Sequence, residues 1–206
     1  MRREKSIILT ARVISMVFTP FYLPIVGLIA LFTLSYLRQM PLPYKLQVLT
    51  MVYLFTILLP TVLIHLYRRH QGWSLLQLGN KERRMVPYMI SILCYFCCVY
   101  WMDHLHIPHF MINIVSVALF IQIVCALINV WWKISTHTAA IGGVAGALFV
   151  FGELFGFNPV WWLCLVFILA GILGTSRMIL RQHSLAQVVA GFVAGVVCTC
   201  VGLVYF

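Results

Sequence analysis

A chain of 206 residues that is 63% hydrophobic and only 9% charged stands well apart from soluble domains, in which about a quarter of residues carry charge. No water-soluble fold of this length buries so much apolar surface, so the composition excludes a globular protein in water and names lipid as the solvent. The net charge of +10 resides in Lys and Arg at the ends and connections of apolar segments, with no basic patch interleaved with aromatics, which excludes nucleic acid and favours anionic membrane lipid as the partner.

In chain order, apolar segments are predicted near 14–36, 46–66, 86–101, 110–132, 138–152, 160–176 and 184–206. Most have the roughly 20 residues that a helix needs to cross a bilayer. The N-terminal run MRREKS leads into an apolar stretch longer than the core of a signal peptide and without a small-x-small cleavage pattern, so it reads as a retained first span. Pro20 and Pro24 are expected to kink that span, and the third and fifth segments are short, the third with Pro87 at its start reading as a tilted or re-entrant piece. The fold expected is all-α: a polytopic transmembrane helical bundle of six to seven spans, one integral membrane domain over 1–206 with an N-terminal helical pair at 1–66. The seven cysteines all lie inside apolar segments; Cys94 and Cys97 form a CxxC by count alone, and buried structural thiols are the better reading.

With seven crossings, Arg38 and Lys45 fall on one side and the other 12 of the 14 Lys and Arg on the side of the N-terminus. Positive-inside logic makes that side cytoplasmic. Three polar islands share it: KERRMVP at 81–87, KISTHT at 133–138 and SRMILRQHSLAQ at 176–187. Taken singly, Arg83 with Arg84 reads as a headgroup anchor and His137 or His183 as an interfacial histidine. Taken together, ionisable groups at membrane depth are costly enough that their convergence marks a functional site. A phosphate ester suits the set. Arg84, Arg177 and Lys81 or Lys133 supply fixed cations for its oxygens. Ser135 stands where an N-cap would open the fifth helix, placing its hydroxyl and the following amides at a positive helix end. Two histidines divide the remaining work, one attacking phosphorus and the other protonating the leaving oxygen and then activating water. With four acidic residues in the whole chain, the scheme needs no metal and no cofactor.

On the seventh helix His183, Gln187, Gly191 and Gly195 recur at i+4 and share one stripe, predicted to pack closely against Gly142 and Gly146 of the fifth and so to bring His137 near His183. In the fourth helix Gln122 and Asn129 share a face and read as interhelical hydrogen-bonding groups rather than substrate contacts. His104, His106 and His109 resemble a metal site by composition, but they lie on the side opposite the islands and read as an interfacial loop.

These motifs resemble the type 2 phosphatidic acid phosphatase superfamily, which includes vanadium haloperoxidases and isoprenyl diphosphate phosphatases. Ser176-Arg177, five residues and His183 match its last motif, with Gln187 where that motif has Asp. Ser135, Thr136 and His137 stand in the middle motif, with Thr136 in place of Gly. Lys81, Arg84 and Pro87 form a compressed version of the first. The resemblance spans 81–195 as a phosphatase-like core. It implies that His183 is the nucleophile, oriented by Gln187, that His137 is the general acid, and that Lys81, Arg84, Ser135 and Arg177 bind phosphate. Thr136 joins them within the middle motif, and Lys133 helps replace the lost first-motif charge.

The expected activity is metal-independent hydrolysis of a mono- or diphosphate ester on a membrane lipid through a phosphohistidine, by a multi-pass protein of a membrane such as the bacterial inner membrane. Two other readings stand beside it. One is a catalytically silent homologue that binds lipid phosphate or serves a membrane partner, which Gln187 favours. The other is a small transporter, suggested by Gln122, Asn129 and Glu153, without the internal repeat and paired broken helices that transporters often show.

Overall fold

The computed structural model describes residues 2–70 and 81–205. It is 88% helical, with no strand among the described residues. These form α1 (Arg2–Val17), α2 (Leu23–Leu34), α3 (Leu42–Tyr53), α4 (Leu59–His70), α5 (Lys81–His104), α6 (His109–Trp131), α7 (Thr136–Phe155), α8 (Val160–Ile179) and α9 (Leu185–Tyr205). Seven stretches are long and apolar enough to cross a membrane: Ser6–Thr33, Leu42–His70, Met85–His104, and α6 to α9. Large apolar side chains such as Leu93, Phe96, Trp161 and Ile168 are exposed along them, as expected for surfaces solvated by lipid.

The first crossing is two helices, not one kinked helix. Thr19 precedes Pro20 and is driven to extended backbone (φ −72°, ψ 148°), and a 3₁₀ turn over Pro20–Tyr22 starts the chain again. The break redirects the two halves: α1 packs on α8, whereas α2 packs on α6 and α7. The second crossing joins α3 and α4 through a π-helical turn, Leu54–Leu58, just before Pro60. The third segment is neither short nor re-entrant. α5 runs 24 residues through Pro87, because the polar first turn and the terminal Asp103 and His104 lie outside the apolar window by which its length was read. The fifth segment gains length in the same way and becomes the 20-residue α7.

The α5–α6 connection accounts for the histidine cluster. His106 is left-handed (φ 53°), its N–H donates to Asp103 O at 2.9 Å, and the Ile107 N–H donates to Met102 O at 3.0 Å. These are the two bonds of a Schellman stop, completed by contact between buried Met102 and Ile107 and followed by Pro108. Among the described residues no three His, Cys, Asp or Glu side chains group as metal ligands do.

α7 is the central helix, lined on most sides by buried residues and packed closest on α9. The glycine seam between them is a backbone-to-backbone contact. A Cβ on Gly195 would collide with Ala139 O, one on Gly142 with Phe192 O, and one on Gly146 would come within 2.9 Å of Val196 O. The approach fixes the start of α7 against the start of α9, and the Ser135 N–H donates to Gln187 O at 3.3 Å across the gap.

Candidate active site

The spacing of the last polar island has a structural cause. At the end of α8, Arg181 is left-handed (φ 52°). Its N–H donates to Met178 O at 2.9 Å, and the Gln182 N–H donates to Arg177 O at 3.1 Å. This second Schellman stop ends α8 and turns the chain toward His183, which like Arg177 lies within electrostatic range of His137. Ser184 then opens α9. The Gln187 N–H donates to Ser184 Oγ at 3.4 Å, while Gln187 Oε1 accepts from the Ser184 N–H at 3.2 Å. Serine and glutamine thus form a capping box, each satisfying a backbone donor at the helix start.

The same Oε1 lies 3.2 Å from His183 Nδ1. Because the Ser184 N–H can only donate, the atom it meets must be the amide oxygen, and the His183 nitrogen facing that oxygen must carry the ring proton. In the neutral ring this contact favours the Nδ1–H tautomer of His183, which puts the lone pair on Nε2.

Ser135 is the N-cap of α7: its Oγ accepts from the Thr138 N–H at 3.4 Å. Thr136 and His137 occupy the first turn, half-buried. His137 lies within electrostatic range of both Arg177 and His183, with the backbone of Ser15 also against its ring. Its Nδ1 is buried with no partner among the described residues, and so is Nε of Arg177. Arg177 donates from Nη1 to Ser15 Oγ at 2.6 Å and faces Tyr88, whose hydroxyl accepts from Asn129 Nδ2 at 2.8 Å. Lys133 lies half-buried in the α6–α7 connection. The backbone of Lys81 and Arg84 lies in the opening turn of α5, on one helical stripe with Tyr88; their side chains lie outside the described residues.

The structure thus brings together His183, Gln187, His137, Ser135 and Arg177 from two of the three islands, with Thr136 and Lys133 beside them. Sequence reasoning missed Ser15 and Tyr88. Tyr88 follows the first island directly at i+4 from Arg84, a signal that was present. Ser15, inside the apolar run of α1, gives none. Asn129 forms the interhelical hydrogen bond expected of it.

Below the polar cluster runs a cleft of about 640 Å³ with His137 at its head. One wall is the α7 stripe His137, Ala140, Ile141, Val144 and Leu148; the others are α2 with the end of α1, and the α8 stripe from Trp162 to Leu173. It exists because the Pro20 break sends α1 to α8 and α2 to α7, leaving the space between unfilled.

Residues 129–206 match the sequence pattern of the PAP2 superfamily. The chain is similar to the PAP2 superfamily over these residues, a little over a third of its length. No curated protein and no solved structure matches the chain significantly. The PAP2 region begins at Asn129 and takes in α7 to α9 with both histidines, Arg177 and Gln187; α1 to α5, with Ser15 and Tyr88, precede it. The similarity suggests phosphatase-type hydrolysis of phosphate esters.

Proposed function

We propose that the protein is a metal-independent lipid phosphatase that removes a phosphate, as a mono- or diphosphate ester, from a membrane lipid, a bacterial inner membrane being its expected setting. The observation that carries this reading is the His183 tautomer. Gln187 and Ser184 leave the Nε2 lone pair as the nucleophile, beside the Arg177 cation and a second histidine. Nε2 attacks phosphorus and the bond from phosphorus to the lipid oxygen breaks. A proton from His137 goes to the departing oxygen, leaving phosphohistidine and, from a monoester, a free lipid alcohol or, from a diphosphate, the lipid monophosphate. Water then gives its proton to His137 and its oxygen to phosphorus, and inorganic phosphate leaves as His183 is regenerated. Arg177, the Ser135 cap and Lys133, with Lys81 and Arg84 from α5, bind the phosphoryl oxygens.

The cleft supports a lipid substrate. From His137 to Leu148 it extends eleven residues of α7, about 16 Å or roughly half the hydrocarbon thickness of a bilayer. An ester phosphate held at His137 leaves its apolar chain a matching channel. The chemistry of the donors suits a reaction without metal: of the four acidic residues, Asp103 and Glu153 sit exposed near the opposite helix ends.

The test is phosphate release from a panel of lipid phosphates by purified protein in detergent. Turnover should survive chelator, stop with orthovanadate and vanish in His183→Ala, and quenching in alkaline denaturant should trap phosphate on Nε2 of His183, never on Nδ1. Activity lost to chelator and restored by a divalent cation would overturn the histidine scheme. The neutral Gln187 favours a second reading, a silent homologue that binds lipid phosphate; tight binding with no release from any lipid in the panel would select it.

A further inference from the structure

We infer that Ser15 is a positioning residue of the site, and that α1, which lies outside the PAP2 region, completes the phosphate-binding centre by holding Arg177; this rests on the phosphatase reading only for the identity of the anion. Along residues 7–17 of α1 most side chains are exposed to the lipid side, and the buried ones are Ala11 and Ser15, one turn apart and facing α8. Small residues at this spacing suffice to explain close packing. They do not explain the polar contact. Ser15 Oγ accepts from Arg177 Nη1 at 2.6 Å, and the backbone of the same residue lies against His137.

Ser15 therefore touches two of the groups assigned to phosphate chemistry, from a helix 162 residues away in sequence. Arg177 lies within electrostatic range of Tyr88, which is paired with Asn129, while its buried Nε meets no acceptor among the described residues. A guanidinium in an apolar bundle with a buried donor unmet is costly unless an anion supplies the acceptor. Ser15 anchors one arm of the fork, and the donor unmet among the described residues is what the guanidinium offers to a phosphate oxygen.

The experiment uses the full-length protein in detergent, with orthovanadate and inorganic phosphate as probes of binding, so that it does not depend on turnover. Ser15→Ala and Ser15→Val should weaken vanadate binding about tenfold, the loss of one charge-assisted hydrogen bond. Ser15→Thr, which restores the hydroxyl on the bulk of Val, should bind within about twofold of wild type. If packing were the whole role, Thr and Val would behave alike and Ala would bind normally; either result overturns the inference. Wild type that binds vanadate yet hydrolyses no lipid phosphate defeats the enzyme reading alone, and Ser15 is still judged by the variants. Wild type that binds neither anion removes the centre that Ser15 is said to complete.

Discussion

At the scale of single residues, the informative atom is Gln187 Oε1, which accepts from both Ser184 N–H and His183 Nδ1–H. A glutamine where the superfamily motif has aspartate looks like a loss, yet the amide keeps the orienting role because the capping box forbids it to flip. In the proposed mechanism, what it lacks is charge to offset the positive imidazole ring that would form as phosphorus bonds to Nε2. Gln187→Glu retains the reach to both donors and adds that charge, so it should raise kcat on lipid phosphate several-fold. Gln187→Leu removes both hydrogen bonds and should lower kcat about 10²-fold, in line with losing a properly held base. Equal rates for wild type and the Leu variant would show that the tautomer is set elsewhere.

At the scale of elements, catalysis depends on how closely α7 and α9 approach. Gly195→Ala would place a methyl group on Ala139 O, forcing the helices apart at a cost of about 1–3 kcal/mol. It should lower the melting temperature in detergent and weaken activity together, since the Ser135 to Gln187 backbone bond spans the same gap. Gly171 on α8 is exposed, with nothing within 4 Å of an added Cβ, so Gly171→Ala should leave stability unchanged or slightly raised. A Gly195→Ala protein as stable as wild type would mean that the seam is looser than described. This seam was legible in the sequence because its four residues recur at i+4 on one helix, where spacing alone fixes the face. The Ser135 cap was legible for the same reason, as a local pattern. The helix stops at His106 and Arg181 were not, because neither is the glycine that a left-handed position usually advertises, and so the His106 connection read only as an interfacial loop. The partners of Arg177 were illegible for a different reason. Ser15 and Tyr88 reach it only through packing of α1 and α5, and no periodicity along one helix encodes a contact with another.

At the scale of the molecule, two proline-linked breaks in the N-terminal half and unbroken helices in the C-terminal half divide the labour. α7 to α9 hold the histidines, while the broken first crossing shapes the cleft below them. Leu165 lines that cleft and is 46% exposed, so Leu165→Trp should fill its mouth without disturbing the core. Hydrolysis of a long-chain lipid phosphate should then fall sharply, while a small water-soluble phosphate ester, which needs only the head of the site, should be turned over as before. Parallel loss on both substrates would mean that the cleft does not hold the chain.

Among the described residues the cleft is walled by α2 with the end of α1, by α7 and by α8; if its open flank faces the surrounding hydrocarbon, a tailed substrate of the proposed phosphatase would slide in sideways without entering water. Encounter is then a collision in two dimensions. The velocity should follow the mole fraction of phosphorylated lipid within a micelle or vesicle, and diluting that lipid with inert detergent at constant bulk concentration should slow the reaction as surely as removing it.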